Sequence, residues 1–98
     1  MPRVRLTPRA REDLKRIGRY TLATWGRQQR DAYLRRLDRR FAWLADNPRL
    51  GRHRPDIQTG YYCFPEGAHL VFYLQDEDGI VIIGVPHQEM DIPDHLGD

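Results

Sequence analysis

The residues able to do chemistry in this 98-residue chain are few and scattered. Four histidines stand at positions 53, 69, 87 and 95, and a single cysteine at position 63. None of the histidines has a second His, a Cys or a well-placed carboxylate at the spacing a metal ion requires, so neither a metal site nor a cofactor is predicted. Metal-free cleavage of a phosphodiester would need a general base, a general acid and cations on the phosphate. His69, His87, His95, Tyr61, Tyr62 and Tyr73 could supply acids and bases, but no Lys or Arg follows Arg54. The cations would have to come from Arg49, Arg52 or Arg54. Cys63, between Tyr62 and Phe64, reads as a buried structural thiol. With no glycine-rich phosphate cradle and no Ser/His/Asp grouping, the sequence does not point to an enzyme.

What the sequence holds in abundance is arginine. All sixteen Lys and Arg residues lie within residues 1–54 beside five acids, a net charge of +11. Residues 55–98 carry the other nine acids and no Lys or Arg, a net charge of −9. Such a division predicts a charged partner. At helical spacing Arg36, Arg39, Arg40 and Trp43 share one face, and Arg11, Lys15, Arg19 and Leu22 share another. The planar guanidinium grips carboxylate or phosphate with two hydrogen bonds. An acidic protein segment and a nucleic acid are therefore both candidate partners, with Trp43 as an aromatic anchor. A solvated helix surface is the plainer alternative.

The elements that must position these residues follow from hydrophobic spacing. Arg3–Leu6 alternates as a short strand. Thr7-Pro8 has the form of an N-cap followed by proline in the first turn. Ala10, Leu14, Ile17, Thr21 and Trp25 then recur as one helical stripe that Gly26 ends. A second helix, from about Arg27 to Asp46, turns Leu34, Leu37, Phe41 and Leu44 inward and stops at Asn47-Pro48. The single intervening glycine makes the pair an antiparallel hairpin. Residues 47–60 read as a loop; Tyr61–Pro65, His69–Leu74 and Ile80–Val85 read as strands; and Pro86–Asp98 reads as a polar tail. The predicted fold is α+β, in the order β-α-α-β-β-β, with a small antiparallel sheet packed by the helical hairpin.

An apolar fraction of 40% suffices for one core and exceeds that of a disordered tail, so residues 1–98 are expected to form one domain. The longest apolar run, Ile80 to Val85, is far too short to cross a bilayer. Residues 1–20 carry arginines throughout and lack the apolar stretch of a signal peptide, so a cytoplasmic protein without membrane association is expected.

Laid along these elements, the chain resembles a known family. The runs Leu6-Thr7-Pro8, Asp13-Leu14, Tyr20-Thr21, Trp25-Gly26, Tyr33-Leu34 and Leu44-Ala45-Asp46-Asn47-Pro48-Arg49-Leu50-Gly51 carry the first half of the likeness. Gly60-Tyr61, Phe64-Pro65, His69-Leu70-Val71-Phe72-Tyr73, the His-x-x-Met-Asp pattern of His87 to Asp91, and His95-Leu96 carry the second. In this order they resemble the ParE branch of the RelE/ParE toxins. The resemblance implies a toxin of a type II toxin–antitoxin pair that stabilises the cleaved-DNA state of DNA gyrase. It also implies a ParD-like antitoxin whose disordered segment folds over the toxin, giving a hetero-oligomer. RelE-type relatives instead cut ribosome-bound mRNA with basic side chains on the sheet and a tyrosine near the C-terminus. Here no Lys or Arg follows Arg54 and no tyrosine follows Tyr73, which favours the ParE branch. The chain departs from the ParE pattern at Tyr62 and Glu89, where arginines are usual, and at Pro86, where a hydrophobic residue usually precedes the histidine.

On this resemblance the candidate antitoxin contacts are the anchors Tyr20, Trp25, Tyr33 and Trp43, with Arg35, Arg36, Arg39 and Arg40 steering an acidic partner. The candidate target contacts are His87, Met90, Asp91 and Ile92, on a tail read as flexible. Deleting residues 87–98 is expected to abolish toxicity and spare antitoxin binding. The toxin is read as an inhibitor of an enzyme, without sequence-specific DNA binding of its own. A RelE-type ribonuclease and a basic nucleic-acid-binding module are the alternatives.

Overall fold

The computed structural model describes residues 2–97. Strand β1 (Arg3–Leu6) leads into helix α1 (Pro8–Trp25), which Gly26 separates from helix α2 (Arg27–Asp46). Thr7 caps α1 as expected: its hydroxyl accepts from the Ala10 N–H at 3.1 Å and donates to the Ile83 carbonyl at 2.9 Å. One side chain thus starts the helix and ties it to the sheet. Gly26 sits at φ 92° and ψ 173°, a conformation essentially restricted to glycine, and this lets the chain reverse within one residue.

Four further strands follow: β2 (Arg52–His53), β3 (Tyr62–Glu66), β4 (His69–Gln75) and β5 (Gly79–Gly84); then comes a short helix α3 (Ile92–Leu96). They form one five-stranded sheet in the order β1-β5-β4-β3-β2. The class is α+β as predicted, and β2 to β5 are antiparallel. At the other edge the N-terminal strand runs parallel to β5, with Arg3 opposite Gly79 and Leu6 opposite Ile82, so the sheet is mixed. Two elements were not foreseen. Arg52–His53, inside the expected loop, pairs with Tyr62–Cys63. The expected polar tail contains α3.

The sheet is covered on both faces. Val71, Tyr73, Ile80 and Ile82 pack under the hairpin against Ala10, Ile17, Leu37, Phe41 and Leu44. Cys63, Phe72 and Leu96 form a second cluster, with Ile57, Tyr61, Ile83 and Ile92 packed around it. Cover on both faces accounts for the unbroken apolar run of β5. Cys63 is buried, and burial pushes its thiol pKa up, as a structural cysteine requires. Among the described residues no helix is long and apolar enough to cross a membrane.

Three sequence readings need correction. Trp25 does not complete the inner stripe of α1; it is 67% exposed at the end of the helix, where the core has already stopped. Arg36 and Arg40 do not stand free on an outward face with Trp43. They reach across to β3 and bind Glu66, while Trp43 packs against Phe64 at 5.2 Å between ring centroids. Finally, the tail is not a loose polar end, because Leu96 is buried and His95 is tied to α1.

A groove between the hairpin and the chain after β5

Three of the predicted antitoxin anchors line an open, largely apolar groove of about 760 Å³ beside α1. Arg16, Ile17, Tyr20, Thr21 and Trp25 come from α1, Gln29 and Tyr33 from the start of α2, Ala68 from the β3–β4 turn, His69 from the start of β4, and His87 and Met90 from the chain after β5. Two predicted sets, assigned to different partners, therefore meet in one place: Tyr20, Trp25 and Tyr33 with His87 and Met90. Helical periodicity explains the hairpin's share, since Arg16, Tyr20 and Ile17, Thr21 are i, i+4 pairs on adjoining strips of one helix. Pairing supplies the rest. His69, at the start of β4, and His87, beyond the end of β5, form an antiparallel bridge, and the Gln88 N–H donates to the Ala68 carbonyl at 2.9 Å.

The groove floor is polar at one point. Tyr33 Oη lies 2.7 Å from His69 Nδ1 and 3.2 Å from the Glu66 carbonyl oxygen, and it accepts from the Ala68 N–H at 3.3 Å. The His69 ring meets His87 edge-on at 5.4 Å. Burial first, then the neighbouring His87 and Arg16 charges, lower the His69 pKa to about 4, so its ring is neutral at pH 7. Burial likewise raises the Tyr33 pKa. The pair is a fixed hydrogen-bonded wall. Among the described residues, no three His, Cys, Asp or Glu side chains converge as a metal site needs.

The remaining predicted residues lie elsewhere. Arg35 borders a second groove, between the other flank of the hairpin and β1, whose floor includes Val4, Leu6, Leu34 and Phe41. Arg39 is exposed on α2. Arg36 and Arg40 grip Glu66 at 2.7 Å each, and Arg40 also lies over the rings of Trp43 and Phe64. Burial pushes the Glu66 carboxyl up, but the bonds from Arg40 and Arg36 more than reverse this and hold it below its ordinary value. Asp91 is spent on capping α3, where its carboxylate accepts from the Asp94 N–H at 3.2 Å. Ile92 packs against the second core cluster rather than the groove.

Sequence reading missed one residue of consequence. Asp13 has a side chain 2% exposed, and its oxygens accept from Arg16 Nη2 at 2.8 Å, the Val85 N–H at 2.7 Å and His95 Nε2 at 2.9 Å. A signal was present: Asp13 lies three residues after Ala10 and four before Ile17, so it is a carboxylate on an apolar stripe. Such a position demands partners, because a buried charge without them is costly.

A helical hairpin over a small mixed sheet, with an apolar groove at its flank, defines a small α+β domain. Comparison with known proteins makes the class specific. The family model for the ParE toxin of the type II toxin–antitoxin system parDE matches residues 4–92. The chain is 36% identical over 92 residues to Toxin ParE1 of Mycobacterium tuberculosis, covering 93% of this chain and 94% of that protein. It is 36% identical over 93 residues to Toxin ParE1 of Caulobacter vibrioides, covering 95% and 96% respectively. A solved structure titled as the chromosomal ParDE TA system from P. aeruginosa shares the fold, with a TM-score of 0.76 at 16% identity over 91% of this chain and 98% of that one. The chain belongs to the ParE toxin family, and it is a ParE-type toxin of a type II toxin–antitoxin system.

Proposed function

We propose that this toxin acts in the cytoplasm by poisoning DNA gyrase, stabilising its cleaved-DNA complex, and that a ParD-like antitoxin neutralises it by laying an amphipathic segment into the groove beside α1. The observation that carries the antitoxin reading is the meeting of Tyr20, Trp25 and Tyr33 with His87 and Met90 on one concave apolar surface. Tyr20 and Trp25 are 66% and 67% exposed, and large aromatics left open beside a groove are the usual anchors of a protein interface. The likeness to a structure titled as a ParDE system supports the same partner. Arg35 and Arg39 would steer the acidic residues of such a segment during its approach.

Gyrase as the target rests on family membership and on the pattern of charge. The toxin is read as a protein inhibitor with no chemistry of its own. A ribonuclease of the RelE kind would need cations on the sheet; β3, β4 and β5 contain no Lys or Arg, and the sheet's arginines, Arg3, Arg5 and Arg52, lie on its two edge strands. His87 and Met90 are the target contacts this reading retains; Asp91 and Ile92 act by building α3. The test is titration of the purified toxin into gyrase with supercoiled plasmid and ATP, followed by detergent and protease. Linear plasmid should accumulate with dose and vanish when the neighbouring antitoxin is added. Normal supercoiling with no linear product at excess toxin would overturn the target, and translating ribosomes would be assayed next.

A further inference from the structure

Residues 85 to 95 leave the sheet at the end of β5, contribute His87 and Met90 to the groove, and return to the body of the protein at α3. Both ends of this segment are held by the same side chain. Asp13 Oδ2 accepts from the Val85 N–H at 2.7 Å, and His95 Nε2 lies 2.9 Å from each oxygen of the same carboxylate. Arg16 Nη2 adds a third donor at 2.8 Å, and Arg9 donates to the His95 carbonyl oxygen. The join is tight. A Cβ on Gly84 would lie 2.6 Å from Leu96 Cδ2 and 3.3 Å from Asp13 Oδ2, so glycine at 84 lets α3 close over the carboxylate.

We propose that Asp13 and His95 form a clasp that sets the shape of the groove, making both of them positioning residues for its partners although neither lines it. The inference rests on the groove being the partner-binding face. The first half of the segment has independent support from β4: the Leu70 N–H donates to the Pro86 carbonyl and the Gln88 N–H to the Ala68 carbonyl, each at 2.9 Å. From Glu89 onward no such ladder exists among the described residues. The bonds of the Met90 and His95 amides, to the His87 and Asp91 carbonyls, stay within the segment itself. Met90 is therefore placed from beyond, by α3, and α3 is placed by His95 on Asp13 together with Ile92 and Leu96 at the second core cluster, where His95 supplies the polar tie. A buried carboxylate with three kinds of donor is a rigid point, because losing any donor leaves charge unsatisfied in a dry site.

The test compares three full-length variants with the wild type. His95→Phe fills the ring's space without a donor, His95→Gln restores an N–H at a similar reach, and Asp13→Asn removes the carboxylate. Backbone 15N NOE values across residues 89–96 and the Met90 methyl shift read the clasp directly. His95→Phe should free residues 89–96 and move the Met90 methyl toward its random-coil position, while Gln88 and strands β4 and β5 stay ordered. His95→Gln should stay near the wild type. The toxin dose needed for half-maximal plasmid linearisation should rise at least about tenfold in His95→Phe, as expected for losing a charge-assisted hydrogen bond that orders one wall. Should Asp13→Asn fail to fold, the two His95 variants decide alone. Unchanged order over 89–96 in His95→Phe, or loosening spread evenly through the sheet, would overturn the clasp. A loosened segment with full potency would overturn its role in positioning. A wild type inert on gyrase would sink the proposed target, and the clasp would then stand or fall on the NOE and methyl data.

Discussion

His69, which the sequence offered only as a possible acid or base, becomes informative once its surroundings are known. Its unfolded pKa is near 6.5 and its folded pKa about 4, so the unfolded chain binds the extra proton between these values. Stability from this group is complete above pH 6.5 and is lost as pH falls toward 4. Relative to His69→Asn, which keeps a hydrogen-bonding group near Tyr33 but cannot titrate, the wild type should lose about 3 kcal/mol between pH 7 and pH 4. Urea unfolding of both proteins across that range checks this, and parallel curves would remove the cause assigned here. The two tryptophans divide just as cleanly. Trp25→Ala should leave stability within about 0.5 kcal/mol and weaken antitoxin binding by about 2 kcal/mol. Trp43→Ala should do the opposite, costing about 2 kcal/mol of stability, because its ring packs on Phe64 beneath Arg40. Calorimetric titration together with thermal unfolding separates the two effects.

Helix α2 carries arginines of two kinds, and the difference lies in what β3 offers them. Arg36 and Arg40 face Glu66, a carboxylate 10% exposed, and their bonds to it hold the hairpin to the sheet. Reversing Arg36 would set two carboxylates together and confound any binding measurement with instability. Arg35 and Arg39 point away from Glu66 and make no ion pair within the described residues. The variant Arg35→Glu with Arg39→Glu should slow antitoxin association several-fold at low salt, and the deficit should shrink as salt screens the charges. Stopped-flow association at two ionic strengths measures this; an unchanged rate at low salt would show that these charges do not steer. The hairpin therefore does two jobs, one half of its charge closing the fold and the other half facing outward.

In the whole molecule the division of charge along the chain is partly cancelled by folding. Glu66 and Asp76, both from the acidic half, pair with Arg36, Arg40 and Arg5 from the basic half. The C-terminal segment is likewise integrated, which changes the expected result of truncation. Deleting residues 87–98 removes His87 and Met90 from the groove, His95 from Asp13 and Leu96 from the second core cluster. Loss of toxicity should thus come with weakened antitoxin binding and a lower midpoint of thermal unfolding, rather than with antitoxin binding spared. A truncated protein that binds antitoxin with full affinity would show that the outer wall of the groove is dispensable.

The α+β class, the helical hairpin, its Thr7 cap and its glycine break were legible because each depends on residues close in sequence, where periodicity and capping act. That Tyr20, Trp25 and Tyr33 are large side chains on the helices was legible for the same reason, and the fold brings these three candidates to one groove. Strand direction and partners could not. The parallel pairing of β1 with β5 joins residues more than seventy positions apart, and nothing local in Arg3–Leu6 records it. The same holds for Arg36 on Glu66 and for Asp13, which joins α1 to Val85 and His95. Sequence alone determined the helical hairpin, the main strands and which large side chains are candidates to anchor a partner; β2 and α3 emerged only in the fold. Tertiary structure alone decided which charges are consumed inside the fold, and that hairpin and C-terminal segment share one groove, because buried charges must find their counterparts wherever the chain brings them.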